Sequence, residues 1–275
     1  MGVLDGRAAI VTGSARGIGR ATAELLVSQG AQVLINDLDS DIAAQAGEEI
    51  AGETAVFGGD LTKPGMCDQL VQQALDAFGK LDIIVNNAGY TLDAPVHKMS
   101  DEHFQAMLDI HTVVPFRVIR AAAPHLREPA KKEREEGREV FRKIVNVSST
   151  SGTFGNAGQA NYSSAKAAVV GLTKTIAKEW GQFKVNVNAV AFGFIDTRLT
   201  QAKVEGNVMQ KDGETIQLGI PEQMRQMAPM MIPLGRAASP EEAAGAIFFL
   251  CSPWSNYVHG QTLHVTGGMF GGMSG

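Results

Sequence analysis

The chain has 275 residues, 44% of them hydrophobic, with 24 basic and 29 acidic side chains and a net charge of −5. That apolar share excludes a disordered polymer, and the acidic excess gives no basic surface of the kind a nucleic-acid binder needs. The longest apolar run, Ala243 to Cys251, is too short to span a bilayer, no apolar leader follows Met1, and Cys67 and Cys251 do not make a disulfide scaffold, so a cytoplasmic protein is expected. Glycine, at 31 residues, exceeds its usual share of about 7% without any collagen period, which predicts many turns and close backbone approaches.

The elements alternate along the chain. Ala8–Val11 reads as a strand, 17–29 as a helix, 32–36 as a strand and 42–50 as a helix. Ala55–Phe57 continues as a strand, 70–78 as a helix and 82–85 as a strand. A long helical stretch over 104–126 carries Pro115 and Pro124. Then come a strand at 144–147, a helix at 161–180, a strand at 184–190, a helix at 240–251 and a last strand at 263–265. Strands separated by helices of ten or more residues predict an α/β protein with a doubly wound parallel sheet between two helical layers.

Two segments interrupt the series. Arg127 to Arg142 holds 11 charged residues in 16, six basic and five acidic, and reads as a solvated insertion. The stretch 200–233 contains Met209, Met224, Met227, Met230 and Met231. Methionine suits adaptable apolar binding surfaces, so the stretch reads as a substrate lid, a helix packed on the core being the plainer alternative. No linker divides the chain, and 1–275 is read as one dinucleotide-binding and catalytic domain.

Thr12-Gly13-Ser14-Ala15-Arg16-Gly17-Ile18-Gly19 joins the first strand to the first helix. Glycines there let the backbone approach a pyrophosphate, and the helix N-terminus offers free N–H groups to it. Asp37 ends the second strand 18 residues after Gly19, where a carboxylate can accept from adenosine ribose hydroxyls. Asn86-Asn87-Ala88-Gly89 follows the fourth strand, Ser149 the fifth, and Tyr162-Ser163-Ser164-Ala165-Lys166 lies 13 residues beyond Ser149 on a helix. With these motifs in this order, the chain from Gly6 to Gly268 resembles the short-chain dehydrogenase/reductase family, which implies a single-domain Rossmann-like fold, a nicotinamide cofactor and a homodimer or homotetramer paired through the long helices.

The resemblance also assigns roles. Tyr162 would be general acid for reduction and general base for oxidation, with Lys166 four residues on lowering its pKa and holding the nicotinamide ribose. Ser149 would hydrogen-bond the substrate oxygen. Gly13, Arg16, Gly17, Ile18 and Gly19 would hold the phosphates, Asp60 and Leu61 the adenine, Asn87, Ala88 and Gly89 the cofactor wall, and Ile195 and Thr197 the carboxamide and phosphate. Two positions depart from the family. His111 stands where Asn is usual, opening a role for its ring in a proton relay to Lys166, and Phe192 stands where Pro usually precedes Gly193. No His spacing suits a metal.

Asp37 favours NAD, because a carboxylate repels the 2′-phosphate of NADP. Arg16 pulls toward NADP, which stays the alternative. The stretch 152–162 and Gly260-Gln261-Thr262-Leu263-His264-Val265 resemble 3-oxoacyl-acyl carrier protein reductases, and Val33–Leu38 the (3R)-hydroxyacyl-CoA dehydrogenases. A 3-oxoacyl or 3-hydroxyacyl thioester, on coenzyme A or acyl carrier protein, is therefore the expected substrate. The alternatives are a steroid, quinone or terpenoid ketone, or a regulatory NAD-binding protein without catalysis.

Overall fold

In chain order the strands are β1 (Ala8–Val11), β2 (Gln32–Asp37), β3 (Thr54–Gly58), β4 (Ile83–Asn86), β5 (Arg142–Ser149), β6 (Val185–Phe192), β7 (Val208–Lys211), β8 (Glu214–Gln217) and β9 (Thr262–Val265). The helices are α1 (Gly17–Ser28), α2 (Ser40–Glu49), α3 (Met66–Phe78), α4 (Asp101–Leu108), α5 (Val114–Glu135), α6 (Thr150–Phe154), α7 (Ala160–Trp180), α8 (Glu222–Met231) and α9 (Pro240–Cys251). The computed structural model describes residues 2–203, 206–211 and 213–269.

Seven strands form one parallel sheet in the order β3-β2-β1-β4-β5-β6-β9, and β7 and β8 form a separate antiparallel hairpin. Side chains alternate across the central strands, because a strand has a period of two. Ile10, Leu34, Ile84 and Ile144 face α3, α5 and α7, while Ala9, Val11, Val33, Ile35, Ile83, Val85 and Val145 face α1, α2 and α9. Both faces are thus apolar, as parallel strands buried between helices require. The order reverses between β1 and β4, and the crevice at the carboxyl ends of these strands is where ligands bind in open α/β sheets.

The 104–126 stretch differs from the sequence expectation. A π-helical turn over Asp109–Val113 separates α4 from α5, and Pro115 follows in the first turn of α5, where it has no N–H to bond back into that turn. Helix α5 then runs on to Glu135, through half of the charged insertion. Arg142 in that insertion is not solvated. Its guanidinium makes two hydrogen bonds to Glu133, at 2.7 and 2.8 Å, with both partners largely buried. Such a pair looks like two surface charges in sequence, because nothing local shows that the chain folds back on itself there.

The 200–233 stretch divides into the hairpin and α8. Met209 packs against the core, whereas Met224, Met227, Met230 and Met231 on α8 are exposed. Packing of that helix on the core therefore does not explain its methionines.

Candidate active site

The crevice at the switch point is a cleft of about 620 Å³. Gly13, Arg16, Gly17, Ile18 and Gly19 line it from the first loop, Asp37 from β2, Asp60 and Leu61 from beyond β3, and Asn87, Ala88 and Gly89 from beyond β4. Thr197 closes one side. Ile195 is buried and is not part of this lining; its neighbours Phe194 and Asp196 bond to Ala238 through their backbones.

Two glycines here have steric reasons. A Cβ on Gly13 would lie 2.7 Å from the Ala88 Cα, and one on Gly19 would run into the Gly13 carbonyl and the Asn87 amide. Loop and strand end are also tied by hydrogen bonds. Thr12 Oγ1 accepts from the Asn87 and Ala88 amides at 3.0 Å, and Asn87 Nδ2 donates to the Thr12 and Gly13 carbonyls at 3.0 Å. The backbone at the start of α1 is therefore kept clear of side chains, with room for a dinucleotide pyrophosphate. Bare glycine Cα atoms and a helix N-terminus suit that group, and Asp37 beside them suits ribose hydroxyls. Asp37 accepts from Ala15 N at 3.3 Å, and burial nonetheless raises its carboxyl above the ordinary value. Arg16 is exposed.

The roof of the cleft comes from the stretch read as a lid, whose hairpin and charged residues the sequence did not show. Val208, Met209, Gln210 and Lys211 of the hairpin line it, and so does Arg198. Lys211 Nζ donates to Asp60 Oδ2, and Thr62 N and Oγ1 donate to Asp60 Oδ1 at 2.9 and 2.7 Å. Burial works to raise the Asp60 carboxyl, but these bonds outweigh it and hold it below the ordinary value. Arg198 anchors the hairpin through Asn207 Oδ1 at 3.2 Å and the Val208 carbonyl at 2.8 Å.

Beyond Gly89 and Tyr90, which His111 links to Tyr162, lie Ser149, Tyr162 and Lys166. Ser149 caps α6 and accepts from Ser151 N at 3.1 Å. Lys166 Nζ donates to the Val147 carbonyl at 2.7 Å and sits 5.5 Å from the centre of the Tyr162 ring. The expected lowering of the Tyr162 pKa by Lys166 is not what the arrangement produces. Burial pushes the phenol up to about 12, although a hydrogen bond with Ser149 acts the other way. Burial also pushes the Lys166 ammonium down to about 7. Desolvation exceeds charge attraction because Lys166 points at a carbonyl rather than at the phenol oxygen.

His111 is buried on the π-helical turn, edge-on to Tyr162 with ring centres 4.9 Å apart. Its Nε2 lies 2.8 Å from the Tyr90 carbonyl, which can only accept, so Nε2 carries the proton. Burial and the Lys166 charge hold the ring well below its ordinary pKa, hence neutral. A ring whose only N–H faces a carbonyl has one open nitrogen, Nδ1, and lacks the two ends a relay needs. The ring packs directly on Gly89, whose Cβ would lie 2.7 Å from Nδ1. Phe192, the other departure, ends β6 in register with Ser149 and Val265, and Gly193 N donates to the Val265 carbonyl at 2.9 Å.

Comparison with known proteins matches this architecture. Residues 13–270 fit a family model described as enoyl-(acyl carrier protein) reductase. A 3-oxoacyl-acyl-carrier-protein reductase of Vibrio cholerae is 39% identical over 97% of this chain and 98% of its own. One from Thermotoga maritima is 35% identical over the same shares, and an uncharacterised oxidoreductase of Mycobacterium bovis is 35% identical over 98% of each. With the glycine loop, the switch-point cleft and the Ser149, Tyr162 and Lys166 cluster on one side of it, the chain belongs to the short-chain dehydrogenase/reductase family and is a nicotinamide-dependent oxidoreductase.

Proposed function

We propose that the chain interconverts a 3-oxoacyl and a 3-hydroxyacyl thioester, with Tyr162 as proton donor for reduction. The carrying observation is the convergence of Ser149, Tyr162 and Lys166 beside a cleft shaped for a dinucleotide. A nicotinamide cofactor supplies the hydride when bound. Tyr162, kept protonated by burial, holds the proton for the substrate oxygen. Ser149, whose hydroxyl is hydrogen-bonded to Tyr162 and accepts from Ser151 N, stands beside the proton donor to hold that oxygen. Lys166, donating to the Val147 carbonyl, presents its charge 5.5 Å from the centre of the Tyr162 ring and favours the phenolate left behind. His111 supports the wall formed by Gly89 and Tyr90. The thioester class is supported by the names of the relatives from V. cholerae and T. maritima. The exposed methionines of α8 suit an acyl chain laid beneath them.

Tyr162→Phe is expected to abolish turnover of NADH and acetoacetyl-CoA while dinucleotide binding persists. Full turnover by that variant would remove Tyr162 from the chemistry. For the cofactor, Asp37 on the cleft wall supports NAD. Asp37→Ala leaves Arg16 and Arg198 unopposed and should shift the ratio of kcat/KM for NADH over NADPH down by about tenfold. An unchanged ratio would assign cofactor choice to other residues.

A further inference from the structure

A polar chain outside the reacting set leads from the rim of the site to Ser149. Asp93 lies in the loop after β4, exposed to solvent on one side. Gln159, the residue before α7, is buried. Gln159 Nε2 donates toward both Asp93 oxygens, at 3.1 and 3.2 Å. Gln159 Oε1 accepts from Ser151 Oγ at 2.9 Å and from Asn156 Nδ2 at 3.0 Å. Ser151 N in turn donates to Ser149 Oγ at 3.1 Å. The two loops are also joined through their backbones, where Ala94 N donates to the Gly158 carbonyl at 2.9 Å.

Each bond in this chain has only one direction. A carboxylate can only accept, so the Gln159 amide nitrogen must face Asp93 and its oxygen must face Ser151. The Ser151 hydroxyl must then donate to Gln159. That fixes the first turn of α6, which keeps Ser151 N on Ser149 and directs the Ser149 hydroxyl hydrogen elsewhere. Gln159 also immediately precedes the helix that carries Tyr162 in its first turn. The carboxamide therefore ties the turn behind Ser149, and its own backbone leads into the turn that carries Tyr162.

We propose that Gln159 is a positioning residue for Ser149 and Tyr162, and that Asp93 locks its amide in the orientation this requires. The inference rests on the reading of Tyr162 as proton donor.

The test uses the full chain with NADH and acetoacetyl-CoA. Gln159→Glu places two carboxylates against each other and removes the donor. It should lower kcat by about ten- to a hundredfold, the scale of a misplaced reacting group, with dinucleotide affinity unchanged. Adding Asp93→Asn to that variant restores a donor with its direction reversed: the new amide at 93 donates to the new carboxylate at 159, and Ser151 keeps its acceptor. The double variant should recover most of the lost kcat, which a loosened loop would not do. Gln159→Leu, which removes the amide without adding charge, should show the same loss of kcat and covers the case in which the glutamate variant fails to fold. A folded Gln159→Leu chain with the kcat of the parent overturns the inference, as does a folded double variant that recovers nothing. Tyr162→Phe run alongside separates the two claims. If it turns over normally, the proton-donor reading itself falls. If it is dead while both single Gln159 variants are fully active, only the role of Gln159 falls.

Discussion

Lys166 is buried with a carbonyl for a partner, and among the described residues no carboxylate pairs with it, so its charge is carried at a cost to folding. Its pKa of about 7 in the folded chain lies below the ordinary 10.5. Between those values the unfolded chain binds more protons, and stability rises with pH. Below pH 7 the ammonium is charged in both states and the burial cost is felt in full. Lys166→Met should therefore melt at least about 2 °C above the parent at pH 6, with a gap that narrows as the pH rises past 7, while its turnover is lost. A parent more stable than the variant at pH 6 would show that the Val147 carbonyl compensates the charge fully. The pairing of Tyr162 with Lys166 was legible from a four-residue spacing. The sign of the pKa shift was not, because spacing tells which side chains are neighbours on a helix but not how much water either retains.

The hairpin β7–β8 shows the same limit in an element. Its methionine was visible in the sequence and its strands were not, since each has four residues. Its partner is 151 residues away, where Lys211 meets Asp60. That contact is charge-assisted and largely shielded from water, a setting in which a hydrogen bond contributes about 1.5 kcal/mol or more. Lys211→Ala should speed amide hydrogen exchange through Val208–Lys211 and Glu214–Gln217 by about tenfold, the factor for 1.4 kcal/mol, and leave exchange in the central strands unchanged. Equal exchange in parent and variant would mean that Arg198 alone holds the hairpin down. The glycine loop was legible for the opposite reason: its turn, its helix and its strand are contiguous, and Gly13 and Gly19 answer to a backbone only one strand away.

Across the whole molecule, the parallel sheet followed from alternation of strands and helices, and its two apolar faces from runs such as Ala8–Val11 and Ile83–Val85. The charged insertion did not follow, because α5 continues through it past Pro124 and Pro129 and its charges resolve differently. Glu133 turns inward to Arg142, and others remain at the surface. The polar chain from Asp93 to Ser149 did not follow either. It joins Asp93 to Ser151, 58 residues on, through Gln159, and nothing in the stretch 152–162 shows which loop that glutamine meets.

The π-helical turn that seats His111 has a consequence at the far end of α5. Val118, Ile119, Ala122, Leu126 and Ala130 form the buried stripe of that helix. One residue fewer between Leu108 and Val114 would rotate everything after it by about 100°. Arg120, Arg127 and Lys131 would then stand where Ile119, Leu126 and Ala130 are now enclosed. The wide turn is thus held in place by the hydrophobic register of a 22-residue helix, about 33 Å long at 1.5 Å per residue. The number of residues in that turn is therefore fixed by packing along the whole of α5.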